Sequence, residues 1–364
     1  MRNSPSHLKR ASKRSYLTGF LLVAALLELA VIIYLLLPSG QKQTEPKQLA
    51  AEVKPPQLEQ RLSAGLPQAE TEAGDTKKDS GETESGDASE LAEKESEIVE
   101  KEKPESELSA TEILANEQLI AHGMGSIGGL TIPNCLEGFL AQYEAGIRVF
   151  EVDLRLTRDA KVVLRHDWWS TWQEGIDWVH IPTREKFVSE KIKGEYTPLS
   201  FRDLLLLMEE YPDICVITDS KFTDSDIFSI QFDAMLADAH ELGLTYLFDR
   251  IVVQVYDGNM RTGLNNIYPF PHYIYTLYQD TTFKGTTDSF REKAAYCAQR
   301  GIEGITMDEY WWKPSFAVIA EEYGIEVYVH TVNDAEKAKK YLNDGVSGIY
   351  TDSIKPADIT DTFS

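Results

Sequence analysis

Two histidines and two carboxylates carry most of the chemistry that this chain offers between residues 119 and 167. Leu119-Ile120-Ala121 is an apolar run that ends in His122-Gly123, and Val162-Val163-Leu164-Arg165 ends in His166-Asp167. Between them, Phe150-Glu151-Val152-Asp153-Leu154 sets two acids two residues apart in a third apolar run. Side chains alternate along a strand, so Glu151 and Asp153 share one face. Two unpaired anions on a buried face are very costly. A cation between them removes that cost, and hard cations prefer carboxylate oxygen. The competing reading is a pair of ion pairs to Arg155 or Lys221.

The elements that must position these residues are legible from hydrophobic pattern. Strand-like runs are expected at Leu119–Ala121, Val149–Leu154, Ile214–Thr218, Ile251–Val255, Tyr273–Leu277, Gly304–Met307, Val327–Thr331 and Gly348–Thr351. A ninth, Val162–Arg165, follows the second after only Thr157 to Lys161, too short a gap for a parallel crossover, so it reads as a hairpin extension. Amphipathic helical segments are expected at Asn134–Ala145, Ser200–Glu210, Asp226–Leu242, Gly258–Ile267, Asp288–Arg300, Ser315–Tyr323 and Asp334–Asn343. Alternating strand and helix with short connections implies a parallel sheet. Eight such units predict an α/β fold of the (β/α)8 TIM-barrel type. No glycine-rich nucleotide loop follows the first strand, which argues against a doubly wound sheet. In a barrel the chemistry lies at the C-terminal strand ends, where His122, Glu151, Asp153, Asp219, Lys221, Gln254 and Asn333 fall.

Composition organises the remainder of the 364 residues. The formal net charge of −23 argues against nucleic acid as the main partner, although much of it lies in one segment before the catalytic region. The three cysteines, Cys135, Cys215 and Cys297, are widely spaced and read as buried thiols rather than a disulfide framework or zinc site. Residues 1–16 are basic, and 17–37 are almost wholly apolar apart from Glu28, roughly the ~20 residues that span a bilayer core. The apolar run exceeds the ~7–15 residues of a signal-peptide core, so it is expected to be a retained single anchor with a cytoplasmic N-terminus. Residues 38–110 are charged and lack aromatics, which predicts a disordered acidic linker. Residues 111–364 are the expected barrel domain, extracytoplasmic and with no obligate protein partner.

From about residue 117 to 356 the chain resembles the glycerophosphodiester phosphodiesterase family, within the superfamily of phosphatidylinositol-specific phospholipase C. The resemblance is carried by His122-Gly123, Asn134-Cys135-Leu136-Glu137-Gly138-Phe139, Phe150 to Thr157, and His166-Asp167. Thr197 to Phe201, Asp219-Ser220-Lys221, Val329 to Asn333 and Gly345 to Asp352 continue it in order. It implies His122 and His166 as an acid–base pair, and Glu151, Asp153 and Asp219 as ligands of one divalent cation, Ca2+ or Mg2+. It further implies Lys221 on a phosphate oxygen. The chain departs from the family at Gly123, where arginine is usual, at Asp219, usually glutamate, and at His330, usually tryptophan. An aspartate at the third ligand position is similar to the venom sphingomyelinase D-like branch.

Two histidines suit such chemistry, because an ordinary pKa near ~6.5 lets each take or give a proton at neutral pH. The segment from Trp168 to Tyr196 is rich in tryptophan and follows His166 directly. It is expected as a cap over the mouth, with Trp168, like Gln254, among the substrate-binding residues. The expected function is hydrolysis of glycerophosphodiesters, or of related lysophospholipids or glycerophosphate polymers. The alternatives are a lyase that forms a cyclic phosphate, and a non-catalytic protein that binds phosphate or lipid.

Overall fold

The computed structural model describes residues 100–104 and 107–360. The expected basic segment 1–16, the anchor 17–37 and most of the linker lie outside the described residues. Among the described residues no helix is long and apolar enough to cross a membrane.

Nine strands form one sheet: β1 (Leu119–Ala121), β2 (Val149–Leu156), β3 (Val162–Leu164), β4 (Cys215–Asp219), β5 (Ile251–Val255), β6 (His272–Thr276), β7 (Gly304–Asp308), β8 (Glu326–His330) and β9 (Gly348–Thr351). Their order is β1-β9-β8-β7-β6-β5-β4-β2-β3, and a parallel β1–β2 pairing closes the ring. Eight strands are therefore a parallel barrel. β3 lies outside it, antiparallel to the extended end of β2, as the short gap before it requires.

Helices α1 (Ala110–Leu114), α2 (Leu136–Glu144), α3 (Arg184–Ser189), α4 (Phe201–Glu210), α5 (Ser225–Leu242), α6 (Gly258–Ile267), α7 (Thr287–Gln299), α8 (Pro314–Tyr323), α9 (Ala335–Asn343) and α10 (Pro356–Ile359) accompany them. Side-chain caps start most of the outer helices: Ser200 accepts from Asp203 N, Asp224 from Ile227 N and Asp257 from Met260 N. Gly243 and Gly324 end α5 and α8 in the left-handed conformation that other residues adopt only at a cost.

Alternation divides the barrel residues into two sets. Phe150, Val152 and Leu154 face outward to the helices, in one large core with Val216, Val253 and Val329. Ile120, Val149, Cys215, Ile217, Val252, Ile274, Tyr328 and Tyr350 fill the interior. The three cysteines are buried and free.

One boundary differs from expectation. Part of the segment read as disordered linker packs on the barrel's N-terminal face. Ala110 and Ile113 of α1 join the interior cluster as a plug. Lys101 N donates to Gly243 O at 2.9 Å, and Glu107 is buried in an ion pair with Arg250. Arg250 is 1% exposed and also donates to the carbonyls of Met208 and Ile214. A composition rich in Glu and Lys hides these contacts, because its charged residues usually belong to water rather than to a buried guanidinium.

Candidate active site

The inward residues at the C-terminal ends of β2 and β4 are acidic. Glu151 lies level with Ile217, and Asp153 with Asp219, across the parallel ladder. Their carboxylates converge with ligand atoms all within 4.8 Å of one another, and all three are buried. Burial pushes Glu151 up, and the Asp153 charge adds to it, against the pull of His122 and Lys221. Burial also opposes the charge of Asp153, but Lys221, His166 and His122 outweigh it and hold that carboxyl below its ordinary range.

Lys221 supplies the cation nearest to the cluster. Its ammonium lies 2.6 Å from Asp153 Oδ1 and also pairs with Asp219. Burial disfavours its charge, but these two carboxylates keep it protonated. Asp219 further accepts from the hydroxyls of Tyr256 and, at 3.3 Å, Tyr278. The ion pairs foreseen as the competing reading of the acids are therefore present on the Lys221 side. Even so, one ammonium faces three carboxylates. Asp153 Oδ1 accepts no well-aligned hydrogen bond, and an all-oxygen donor set of this charge fits a hard divalent cation.

Both histidines feel this cluster electrostatically: His122 the charges of Glu151 and Asp153, and His166 that of Asp153. His122 follows β1 in a short 3-10 turn, and its Nδ1 lies 2.8 Å from Asp352 Oδ1, beyond β9. Asn333 Nδ2 donates to the other Asp352 oxygen at 2.7 Å and fixes that carboxylate. Burial works against a charged His122, but the Asp352 hydrogen bond and the charges of Glu151 and Asp153 overcome it and raise the imidazole to about 9. His166 follows β3, its Nδ1 2.9 Å from Asp167 Oδ2. The other Asp167 oxygen accepts from Trp169 N and Ser170 N, both at 2.7 Å. Burial raises the Asp167 carboxyl, but the bonds from His166 and Ser170 hold it far below its ordinary range. With Nδ1 engaged in each ring, Nε2 is the nitrogen left for substrate.

Residue 123 explains one departure from the family pattern. Gly123 has φ +52°, and its N–H donates to Glu151 Oε2 at 2.7 Å. A Cβ there would lie 2.5 Å from Ile132 Cβ and 2.6 Å from its Cα. The loop closes on this position so tightly that no arginine fits. Asn134, buried beside it, donates to Asp153 Oδ2 at 2.8 Å and accepts from Asp153 N at 3.0 Å, holding the β2 end against the α2 entry.

The structure thus brings His122, His166, Glu151, Asp153, Asp219 and Lys221 together. Trp168 is not part of that group. It packs in a small core of the 165–199 loop with Val163, Ile176 and Phe187, while Trp169 and Trp178 are the exposed indoles there. Its apolar bulk is satisfied by Phe187 at 6.0 Å and the Arg165 guanidinium at 5.2 Å. Gln254 faces inward on β5 and is buried, but among the described residues no hydrogen bond joins it to the acids or histidines. His330 ends β8 inside the mouth, 6.1 Å from the rings of both Tyr278 and Tyr350. Burial, together with His122 nearby, lowers it to about 4, so it is neutral. Asp352, Asp167, Tyr256 and Tyr278 were missed from sequence. Asp167, adjacent to His166, and Asp352, at the end of the Gly345 to Asp352 motif, carried a signal, and the two tyrosines carried none.

The model of the glycerophosphoryl diester phosphodiesterase family matches residues 127–355, more than half of the chain. The chain belongs to that family. It is accordingly a phosphoric diester hydrolase of the glycerophosphodiester type. Among curated proteins, none matches the chain significantly. Among solved structures, an Oleispira antarctica phosphodiesterase in complex with the product sn-glycerol-3-phosphate is similar, with a TM-score of 0.55 and 17% identity over 67% of this chain and 96% of the other. Putative glycerophosphodiester phosphodiesterases from Silicibacter pomeroyi and Galdieria sulphuraria give TM-scores of 0.54 and 0.53, each at 19% identity over 67% of this chain and 91% and 96% of theirs. At these identities the likeness concerns the fold.

Proposed function

We propose that the barrel mouth hydrolyses glycerophosphodiesters, or the related headgroups of lysophospholipids or glycerophosphate polymers, with one divalent cation, Ca2+ or Mg2+, held by Glu151, Asp153 and Asp219. The observation that carries this reading is a pair of carboxylate-anchored histidines in electrostatic reach of a buried three-carboxylate cluster. Bound there, the cation supplies Lewis-acid neutralisation of a phosphoryl oxygen.

The chain's own residues do the rest. Asp352 keeps His122 protonated through neutral pH, and its free Nε2–H is placed to protonate the leaving oxygen. Asp167 orients His166 so that its Nε2 takes the proton of the attacking group, either water or the hydroxyl next to the phosphate. Lys221 holds Asp153 and Asp219 in place and adds positive charge beside the phosphate. The 17–37 segment is proposed to anchor the barrel outside the cytoplasm, with residues up to about 99 as tether. Protease accessibility of the barrel in intact cells tests that topology.

The test of the metal reading is calorimetric titration of the full chain with Ca2+ and Mg2+, next to Glu151→Gln with Asp153→Asn. Metal binding to wild type and its loss in the double variant are expected, with turnover of glycerophosphocholine abolished by chelator. Turnover unaffected by chelator would refute it.

A further inference from the structure

The positive charges around the cluster are nearly all committed. Lys221 lies against Asp153 and Asp219, His122 against Asp352, and His166 against Asp167. Arg165 is buried and spends its guanidinium on Gln173 and on the carbonyls of Asp167 and Ser170. Among the described residues, these cations are therefore already paired with a carboxylate or have their donors occupied, with one exception.

Arg155 is that exception. It lies on β2 two residues beyond Asp153, so alternation puts it on the same inward face as Glu151 and Asp153. Strand rise places its Cα about 6–7 Å nearer the mouth than that of Asp153. Its Nε donates to the His166 carbonyl at 3.0 Å, and its guanidinium carbon lies 5.6 Å from the ring centroid of Phe222, next to Lys221. The group thus lies between the backbone of one proposed proton-transfer residue and the Phe222 ring. Among the described residues it has no carboxylate partner, and neither terminal nitrogen donates to protein. With Nε fixed, the two terminal nitrogens form a preoriented fork, the geometry that suits phosphate oxygens.

We propose that Arg155 is the phosphate-binding residue of this site, donating from its terminal nitrogens to the non-bridging oxygens of the substrate phosphate. The inference rests on the function proposed above and deepens it. It makes Lys221 chiefly an organiser of the acids, and Arg155 the group that grips the anion. The side chain serves two purposes, since the same guanidinium that meets phosphate holds the backbone of His166.

The experiment uses the full chain in detergent and its Arg155→Lys and Arg155→Met variants, with glycerophosphocholine as substrate and sn-glycerol 3-phosphate and inorganic phosphate as inhibitors. Arg155→Met is expected to raise KM and both inhibition constants about 10- to 100-fold. Arg155→Lys should fall between, because it keeps the charge but not the fork, and added guanidinium should restore part of the Arg155→Met loss. A lower kcat with KM and both inhibition constants unchanged, and without guanidinium rescue, would overturn the proposal, leaving Arg155 a support for His166 alone. Wild-type-like behaviour of both variants would overturn it as well. If wild type turns over no phosphodiester yet binds inorganic phosphate in a calorimetric titration, and Arg155→Met does not, this proposal stands and the hydrolase reading falls.

Discussion

Asp352→Asn separates the charge of the His122 partner from its shape. Asparagine keeps the size of the side chain and can still face Asn333, but it removes the anion 2.8 Å from Nδ1. A histidine at about 9 in the fold and near its ordinary 6.5 unfolded contributes stability fully present below 6.5, which is lost as pH rises through about 9. Asp352 contributes the converse. Burial raises its carboxyl, but the His122 and Asn333 bonds lower it overall, so its share is present above its ordinary 3.8 and is lost as pH falls through the depressed folded value. The pair therefore stabilises the fold between those limits. A charge-assisted hydrogen bond at this partly buried position is worth about 2 kcal/mol.

The expected result is that Asp352→Asn destabilises by about 2 kcal/mol at pH 6 and by much less at pH 10, where His122 is neutral in both proteins. Urea denaturation at the two pH values measures this. Titration of labelled His122 by NMR should show its pKa lower in the variant by about 1–2 pH units. The alkaline limb of the kcat/KM profile should move down with it, because protonated His122 is the donor. A destabilisation equal at both pH values, with the His122 titration unmoved, would refute the reasoning.

Two further variants test how the site and the barrel floor are built. Gly123→Ala must place a Cβ 2.5 Å from Ile132 at φ +52°, so it is expected to cost about 2 kcal/mol or more in urea denaturation; a neutral result would show that the loop relaxes freely. Glu107→Ala leaves Arg250 buried without its carboxylate, and a loss of about 3 kcal/mol is expected by the same assay. Removal of residues 1–99 should leave thermal stability unchanged, whereas removal of 1–114 should lower it sharply by exposing the interior cluster that Ala110 and Ile113 cover.

The barrel was legible because its strands are apolar on both faces and its helices begin and end on cap residues. The runs at Leu119–Ala121, Ile251–Val255 and Gly348–Thr351 and the helix Gly258–Ile267 coincide with the observed elements. The gathering of Glu151, Asp153 and Asp219 was legible through strand alternation and family resemblance together. The partners of the histidines were not. Asp352 is 230 residues from His122 in sequence, and only closure of β9 on β1 brings them together. Trp168 packs within the small core of its loop, a position that composition cannot distinguish from one facing a ligand. The seal at the barrel floor was hidden because the ion pair Glu107–Arg250 looks, in sequence, like any solvated charge.

One reaction tests the roles of both histidines most directly. The full chain is incubated with glycerophosphocholine and Ca2+ or Mg2+, alongside His122→Ala and His166→Ala, and the products are followed by 31P NMR. Accumulation of a glycerol phosphate monoester by wild type, with kcat reduced about 10²-fold or more in each variant, is the predicted result. Retained turnover in both variants would contradict the assigned roles, and a cyclic phosphate as the final product would contradict hydrolysis itself.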